Sequence, residues 1–345
     1  MIDQMTGQKH DSSLVRKLLK YVIPLIISVG LCWLLFTGIN FDEMLHIIRS
    51  ECDFRWILLM WAVTVLSHVF RAMRWRIQLD ALGVRAPLYV LVYSIFGTYA
   101  VNLVFPRLGE VWRTGYVAQR EDAKFTTVFG SMVADRLSDT VTVLLLTAVT
   151  FMLASGTLLD FLRENAGSYE GIVSAVTSPW VWSGVLLVVV LLVAVFRKSG
   201  GKAGAKVRDA LRNFWSGFAV VLHMPGTGRW LLLTVAIWGC YFMQLFVAFY
   251  AFPFTAELIH EHTALAVLVT FVLSSISMGV PSNGGIGPWQ WAVIFALGIY
   301  GVDKAHAGAF ANLVMGCNTL ILIVLGIVTF VGIALDKRKN IQKQN

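Results

Sequence analysis

The sequence predicts an all-α, polytopic membrane protein of about eight transmembrane helices plus a re-entrant hairpin. Three observations carry this. Of 345 residues, 57% are hydrophobic and 14% charged, with a mean hydropathy of +0.71. A soluble domain carries about 25% charge. The apolar residues fall in runs long enough to cross a hydrocarbon core of about 30 Å. Glycine and proline interrupt two of these runs where a spanning helix would otherwise continue.

The chain divides into an amphipathic N-terminus (1–21), a single transmembrane domain (22–335) and a basic tail (336–345). Residues 1–21 are polar and basic rather than signal-like, and 22–39 form the first span. A second span, 56–70, ends in Arg71, Arg74 and Arg76, with Arg85 beyond. The apolar run 88–105 breaks at Pro106-Arg107-Leu108-Gly109-Glu110 and resumes as an amphipathic piece, 111–120. A long helix over 125–153 follows, then spans 180–196 and 230–252 around a basic loop, 197–213. Spans 264–281 and 289–300 flank the second break, and 311–335 closes the domain before Lys337, Arg338, Lys339 and Lys343.

Orientation follows from Lys and Arg, which accumulate on the cytoplasmic side. With 88–120 read as a re-entrant hairpin, both termini are cytoplasmic. Of the 28 basic residues, only Arg49, Arg55, Arg163 and Lys304 then fall outside, with Arg136 inside the membrane. If 88–120 spanned fully, the downstream basic loops would alternate with the wrong sign. The expected location is a bacterial-type inner membrane, crossed many times. The net charge of +8 is then juxtamembrane, where it sets topology and favours anionic headgroups, so nucleic acid is not an expected partner.

Cys32, Cys52, Cys240 and Cys317 form no CxxC or Cys/His pattern, which argues against a disulfide framework or zinc site. His260 and His262 are spaced like a metal pair but lie in a polar loop. Without a Walker A or GxGxxG motif, ATP hydrolysis by this chain is not expected, nor is any cofactor.

The two breaks share a Pro-x-x-Gly core, Pro106-Arg107-Leu108-Gly109 and Pro281-Ser282-Asn283-Gly284. In this topology they approach from opposite sides, as an inverted repeat requires. Paired Gly/Pro interruptions in the two halves of a transporter point to its substrate site. Helix ends there expose amide donors suited to a phosphate. Arg107, Glu110 and Arg113 are spaced to share one face of a helix restarting after Pro106. That face is either solvated or phosphate-binding. Asn102, one turn before the break, can satisfy freed backbone groups. Ser282, Asn283 and Gln290 add hydrogen-bonding groups at the second break, Gly284 and Gly285 allow close backbone approach, and Asn318 lies in the last span.

Asp135, Arg136 and Asp139 lie within a span, where each charge costs about 2.5–3.5 kcal/mol and must pair or face water. Asp135 and Asp139 stack on one face, and Arg136 reaches Asp139 at i+3. Three roles stay open: a packing ion pair, a headgroup site built on Arg136, or a proton carrier. Their position favours contact with Arg107 or Glu110.

Four motifs occur in order: Arg71-Ala72-Met73-Arg74-Trp75, Asn102 to Glu110, Asp135-Arg136-Leu137-Ser138-Asp139, and Pro281 to Gly287. Together, over about residues 15–335, they resemble the lysylphosphatidylglycerol synthase transmembrane-region family, flippase-like integral membrane proteins. The region is similar to the lipid-flipping half of the multiple peptide resistance factor. The resemblance implies movement of an anionic or aminoacylated phospholipid, or a lipid-linked phosphate, between leaflets. It implies membrane lipids as partners and leaves open a separate lipid synthase and homo-oligomers. The soluble aminoacyltransferase domain of those proteins has no counterpart here, so an enzyme is not expected. Asp135 stands where the family often has glutamate. The alternatives are a membrane-embedded enzyme acting on a lipid phosphate and a non-transporting partner of a synthase.

Overall fold

A computed structural model describes residues 41–105, 107–164, 178, 183, 224–280 and 282–344. The expected N-terminal segment 1–21, span 22–39, span 180–196 apart from residue 183, loop 197–213, Pro106 and Pro281 lie outside the described residues. The described residues form helices and no strand. The chain makes two compact units, one of residues 1–132 with 228–345 and one of residues 133–227.

In the first unit α1 (Phe41–Glu51) is short and amphipathic, burying Met44 and Ile47. Its Asp42 and Glu43 sit in the first turn and Arg49 in the last, the arrangement that the helix dipole favours. Asp53 then caps α2 (Phe54–Ala81), accepting from the Arg55 amide at 3.0 Å. Helix α3 (Leu88–Val104) and α4 (Leu108–Arg120) follow, and α5 (Phe125–Glu164) begins in this unit. After residue 227 come α6 (Thr227–Phe249), α7 (Pro253–His262), α8 (Leu265–Ser277), α9 (Pro288–Ile299) and α10 (Lys304–Gln344).

Helices α2 and α6 run antiparallel. The Asp53 amide donates to the Ala251 carbonyl at 2.8 Å, while at the other end Arg74 Nη1 donates to Thr234 Oγ1 at 3.3 Å. At that basic end α2, α3, α4 and the start of α5 share a core of Trp75, Leu79, Leu91, Ile95, Val117 and Met132. Trp75 Nε1 donates to Ser131 Oγ at 3.0 Å. Around it α2 is inside-out for a soluble helix: Thr64, Ser67, His68, Arg71, Arg74 and Gln78 are buried while Leu58, Leu59, Leu66 and Met73 are exposed. An apolar solvent outside and polar groups inside is what a membrane selects.

Among the described residues four helices are long and apolar enough to cross a membrane: Phe54–Ala81, Phe125–Phe161, Thr227–Phe249 and Lys304–Asp336. A fifth is counted if α7 and α8, bent by 112° at Thr263, make one span. The expected spans 264–281 and 289–300 are instead α8 and α9, of 13 and 12 residues. At 1.5 Å per residue each reaches about 20 Å, short of a hydrocarbon core of about 30 Å. They fold back on each other as a second helical hairpin, matching α3 and α4. The reversal is made by Gly284, Gly285 and Gly287, with φ of 62°, 87° and 95°.

Helix α10 carries both hairpins, with α3 packed along one stretch and α9 along another. A Cβ at Gly332 would meet the Tyr93 ring at 2.6 Å, and one at Gly326 would meet Ala100 Cβ at 2.5 Å. Further along, Asn312 accepts from Gln290 Nε2 at 2.9 Å. The two hairpins thus descend on α10 from opposite ends. Arg120 of α4 pairs with Asp336, closing the basic end.

Helix α10 starts on an N-cap that offers a stability test. Asp303 accepts from the amides of Ala305 and His306 and from His306 Nδ1. Partial burial pushes its carboxyl up, but those hydrogen bonds and the His306 charge outweigh it and hold it below the usual value. A depressed folded pKa contributes stability above the unfolded pKa that is lost as pH falls through the folded one. Asp303→Ala should therefore cost about 1 kcal/mol at neutral pH. In thermal melts the deficit should shrink as the pH falls below the ordinary carboxylate range.

The described part of the second unit is mainly the continuation of α5. Its Leu144, Leu145, Phe151, Met152 and Leu153 are more than 60% exposed, as on a lipid-facing helix.

Candidate functional site

The tips of the two hairpins meet. Helix α3 ends at Phe105, and Arg107, in the left-handed region at φ 59°, is the N-cap residue of α4. The reversal leaves the first amides of α4 without helical acceptors. Asn102 answers this from the end of α3: its Oδ1 accepts from the Gly109 amide at 2.8 Å, and its Nδ2 donates to Glu110 Oε2 at 3.2 Å. Asn102 thus satisfies freed backbone, as its position suggested.

Arg107 crosses to the other hairpin, its Nη2 donating to the Gly279 carbonyl at 2.8 Å. A Cβ at Gly284 would lie 2.7 Å from Leu103 Cδ2, so the second tip approaches the first because glycine stands there. Gly285 is beside Met278 and Met315. With Ala100 opposite Gly326 and Gly285 beside Met315, the tips meet between residues 315 and 326 of a span running from 304 to 336. That is near its midpoint.

On the far side of the second tip, the Gly287 amide donates to Gln290 Oε1 at 2.7 Å, while Gln290 Nε2 reaches Asn312. Asn283 Oδ1 is buried without a hydrogen-bond partner among the described residues. Ser282 Oγ makes one long contact, 3.4 Å, with its own turn at Val280. Asn318 serves elsewhere, accepting from Gln244 of α6 at 3.1 Å. The tips therefore gather Asn102, Arg107, Glu110, Gly284 and Gly285, with Gln290 one turn beyond.

Arg113 does not share a face with Arg107. Arg107 precedes the helix, and Arg113 is fully buried with its guanidinium 4.5 Å from the Trp75 ring centre. The i, i+3, i+6 spacing assumed a helix already running at residue 107, whereas the turn occupies that position. In the second unit Arg136 Nη1 lies 3.8 Å from Asp139 Oδ2, the expected i+3 pair, and Asp135 is fully buried.

Sequence reading passed over the inner face of α2. His68 stacks on Tyr99 at 4.4 Å, Arg71 donates to the Tyr99 hydroxyl at 2.6 Å, and Arg74 lies over Trp230 at 5.5 Å. The signal was present: Thr64, Ser67, His68, Arg71, Arg74 and Gln78 recur at three- and four-residue spacing. In the sequence Arg71 and Arg74 end an apolar run and belong to the first family motif, which gives them a topological role and not these contacts. Elsewhere a concavity of about 410 Å³, lined by Asp42, Leu45, His46, Arg49 and Ser50, lies on α1 and shares no residue with the tips.

Helices long and apolar enough to span, a polar interior and two short hairpins whose tips meet beside the middle of α10 define a polytopic α-helical membrane protein. The chain belongs to the lysylphosphatidylglycerol synthase transmembrane region family, whose model matches residues 21–326. Comparison with curated proteins gave no match, and comparison with solved structures gave none either.

Proposed function

We propose that the protein translocates a lipid bearing an anionic or aminoacylated phosphate headgroup between the leaflets of a bacterial-type inner membrane, with the basic end cytoplasmic. The observation that carries this is the meeting of the tips of two helical hairpins about halfway along α10, joined by Arg107 and the Gly279 carbonyl. Broken backbone at that depth must be buried in protein or line a wet passage. A guanidinium there is suited to a passing phosphate, which it binds by charge and by paired donors. Membership of a family named for a lipid synthase supports lipid as the substrate class.

In this reading Arg107 is the phosphate ligand and Asn102 and Glu110 hold its turn. Asp135, Arg136 and Asp139 provide a second charged group inside the span. The headgroup crosses in the protein while acyl chains stay in lipid, and no bond of the lipid changes.

The test is leaflet exchange of fluorescent phosphatidylglycerol in proteoliposomes, read by quenching from outside. Exchange should be much faster than in empty liposomes, and the recovered lipid should be unchanged in mass. Exchange at the empty-liposome rate, with and without a proton gradient, would sink the proposal. Altered lipid formed in detergent would favour an enzyme.

A further inference from the structure

Three helices converge on one histidine at the end of α10 remote from Arg120 and Asp336. His306 stands in the first turn of α10, before the apolar run 311–335, with its side chain one-third exposed. Its Nδ1 lies 2.6 Å from Asp303 Oδ2. Its Nε2 lies 3.9 Å from Oε1 of Glu51, the last residue of α1. Phe254, at the start of α7, meets the imidazole edge-on with ring centres 5.0 Å apart.

The two carboxylates make different demands on the ring. An ionised carboxylate only accepts, so the close contact with Asp303 keeps a proton on Nδ1 whether the ring is neutral or charged. In the neutral imidazole Nε2 then carries a lone pair, which the Glu51 carboxylate repels. In the imidazolium Nε2 carries a proton too, and at 3.9 Å charge, rather than a close hydrogen bond, draws it to Glu51. One proton therefore changes the sign of the contact between α1 and α10. Of the other charged groups on these elements, Asp53 is held by Arg55 at 2.8 Å. Arg49 lies on the last turn of α1, Lys304 on the first turn of α10, and Glu257 one turn along α7 from Phe254.

We propose that His306 is a proton-operated latch, which when charged draws Glu51 in and clamps α1 onto α10, and when neutral releases that end of α1. The rest of α1 shows what the latch governs. Helix α1 packs on α10, burying Met44 and Ile47, and Asn312 Nδ2 lies 3.5 Å from Met44 Sδ. Asn312 also accepts from Gln290, whose Oε1 holds the Gly287 amide at the second tip. The hold of α1 on α10 is thus a hold on the residue that anchors the second hairpin. Because the clamped state favours the charged ring, its contribution is complete at low pH and is lost as pH rises through the histidine range. The latch stands whether or not the protein exchanges lipids between leaflets.

Hydrogen exchange of the intact protein in neutral detergent tests this, read by mass spectrometry over α1 and corrected for the intrinsic rate at each pH. Measurements at about pH 5.5 and about pH 8 bracket the histidine range. In the wild type we expect α1 to be about threefold better protected at the lower pH, within the size of an exposed ion pair. Glu51→Gln and His306→Gln keep polar side chains, and each should abolish that difference without lowering protection at the higher pH. His46, on α1 itself, is left in place in both variants. A wild type equally protected at both pH values, or a difference that survives in either variant, would overturn the proposal. So would protection lowered equally at both pH values in both variants, since the side chains would then hold structure without regard to charge. Should His306→Gln not fold, Glu51→Gln alone decides.

Discussion

Replacing Arg107 with glutamine should slow lipid exchange at least tenfold while the variant remains folded and monodisperse. Arg107 bridges the two tips, its guanidinium donating to the backbone carbonyl of Gly279. A hydrogen bond involving a charged group contributes about 1.5–3 kcal/mol, which in a rate corresponds to roughly ten- to more than hundredfold. Glutamine keeps polarity but loses charge, reach and the paired donors a phosphate needs. The backbone supplies a control. Arg107 adopts φ 59°, a conformation unfavourable for a side chain other than glycine, asparagine or aspartate. Such outliers persist where the surrounding structure enforces them, often at functional positions. Arg107→Gly relieves that strain, so it should lose exchange with little loss of thermal stability. Exchange at the wild-type rate in either folded variant would remove Arg107 from the pathway.

Gly109→Ala should be the most damaging small substitution in the first hairpin. A Cβ there would stand 2.1 Å from the Thr98 carbonyl oxygen and 2.8 Å from Asn102 Oδ1. The first obstacle is helix backbone, which cannot rotate away as a side chain would. The second is the group that caps α4, so relief in that direction breaks the cap. Overpacking typically costs about 1–3 kcal/mol, and a backbone obstacle belongs at the upper end or beyond. Gly115, two turns along the same helix, has nothing within 4 Å of its Cβ position. Gly115→Ala should be neutral or stabilising by up to about 1 kcal/mol, from helix propensity. The pair is compared by thermal melts in one detergent. Equal midpoints would mean that α3 and α4 do not pack as closely as described.

How much of this was legible in the chain depends on what each signal measures. Composition and apolar runs report the solvent, so the all-helical membrane class followed directly. The two Gly/Pro breaks report local backbone chemistry, and both are breaks in the structure. The transmembrane count was less secure because hydropathy measures apolar length, not whether a segment crosses or turns back. The run around residues 264–300 is apolar throughout and reads as two spans. Its positive-φ glycines make it two short arms packed on each other.

The site divides in the same way. Asn102 as backbone partner, Arg136 with Asp139, and glycine at the second tip follow from spacing and local geometry. Arg107 at the contact between tips, Arg113 buried over Trp75, and the polar inner face of α2 depend on neighbours far away in sequence. By itself the sequence determined where the chain is apolar, where it must break and which turns need glycine, because those are properties of adjacent residues. Tertiary structure decided that the two breaks meet and that α2 turns its arginines inward. Those outcomes depend on which helix faces satisfy one another once lipid has excluded every other partner.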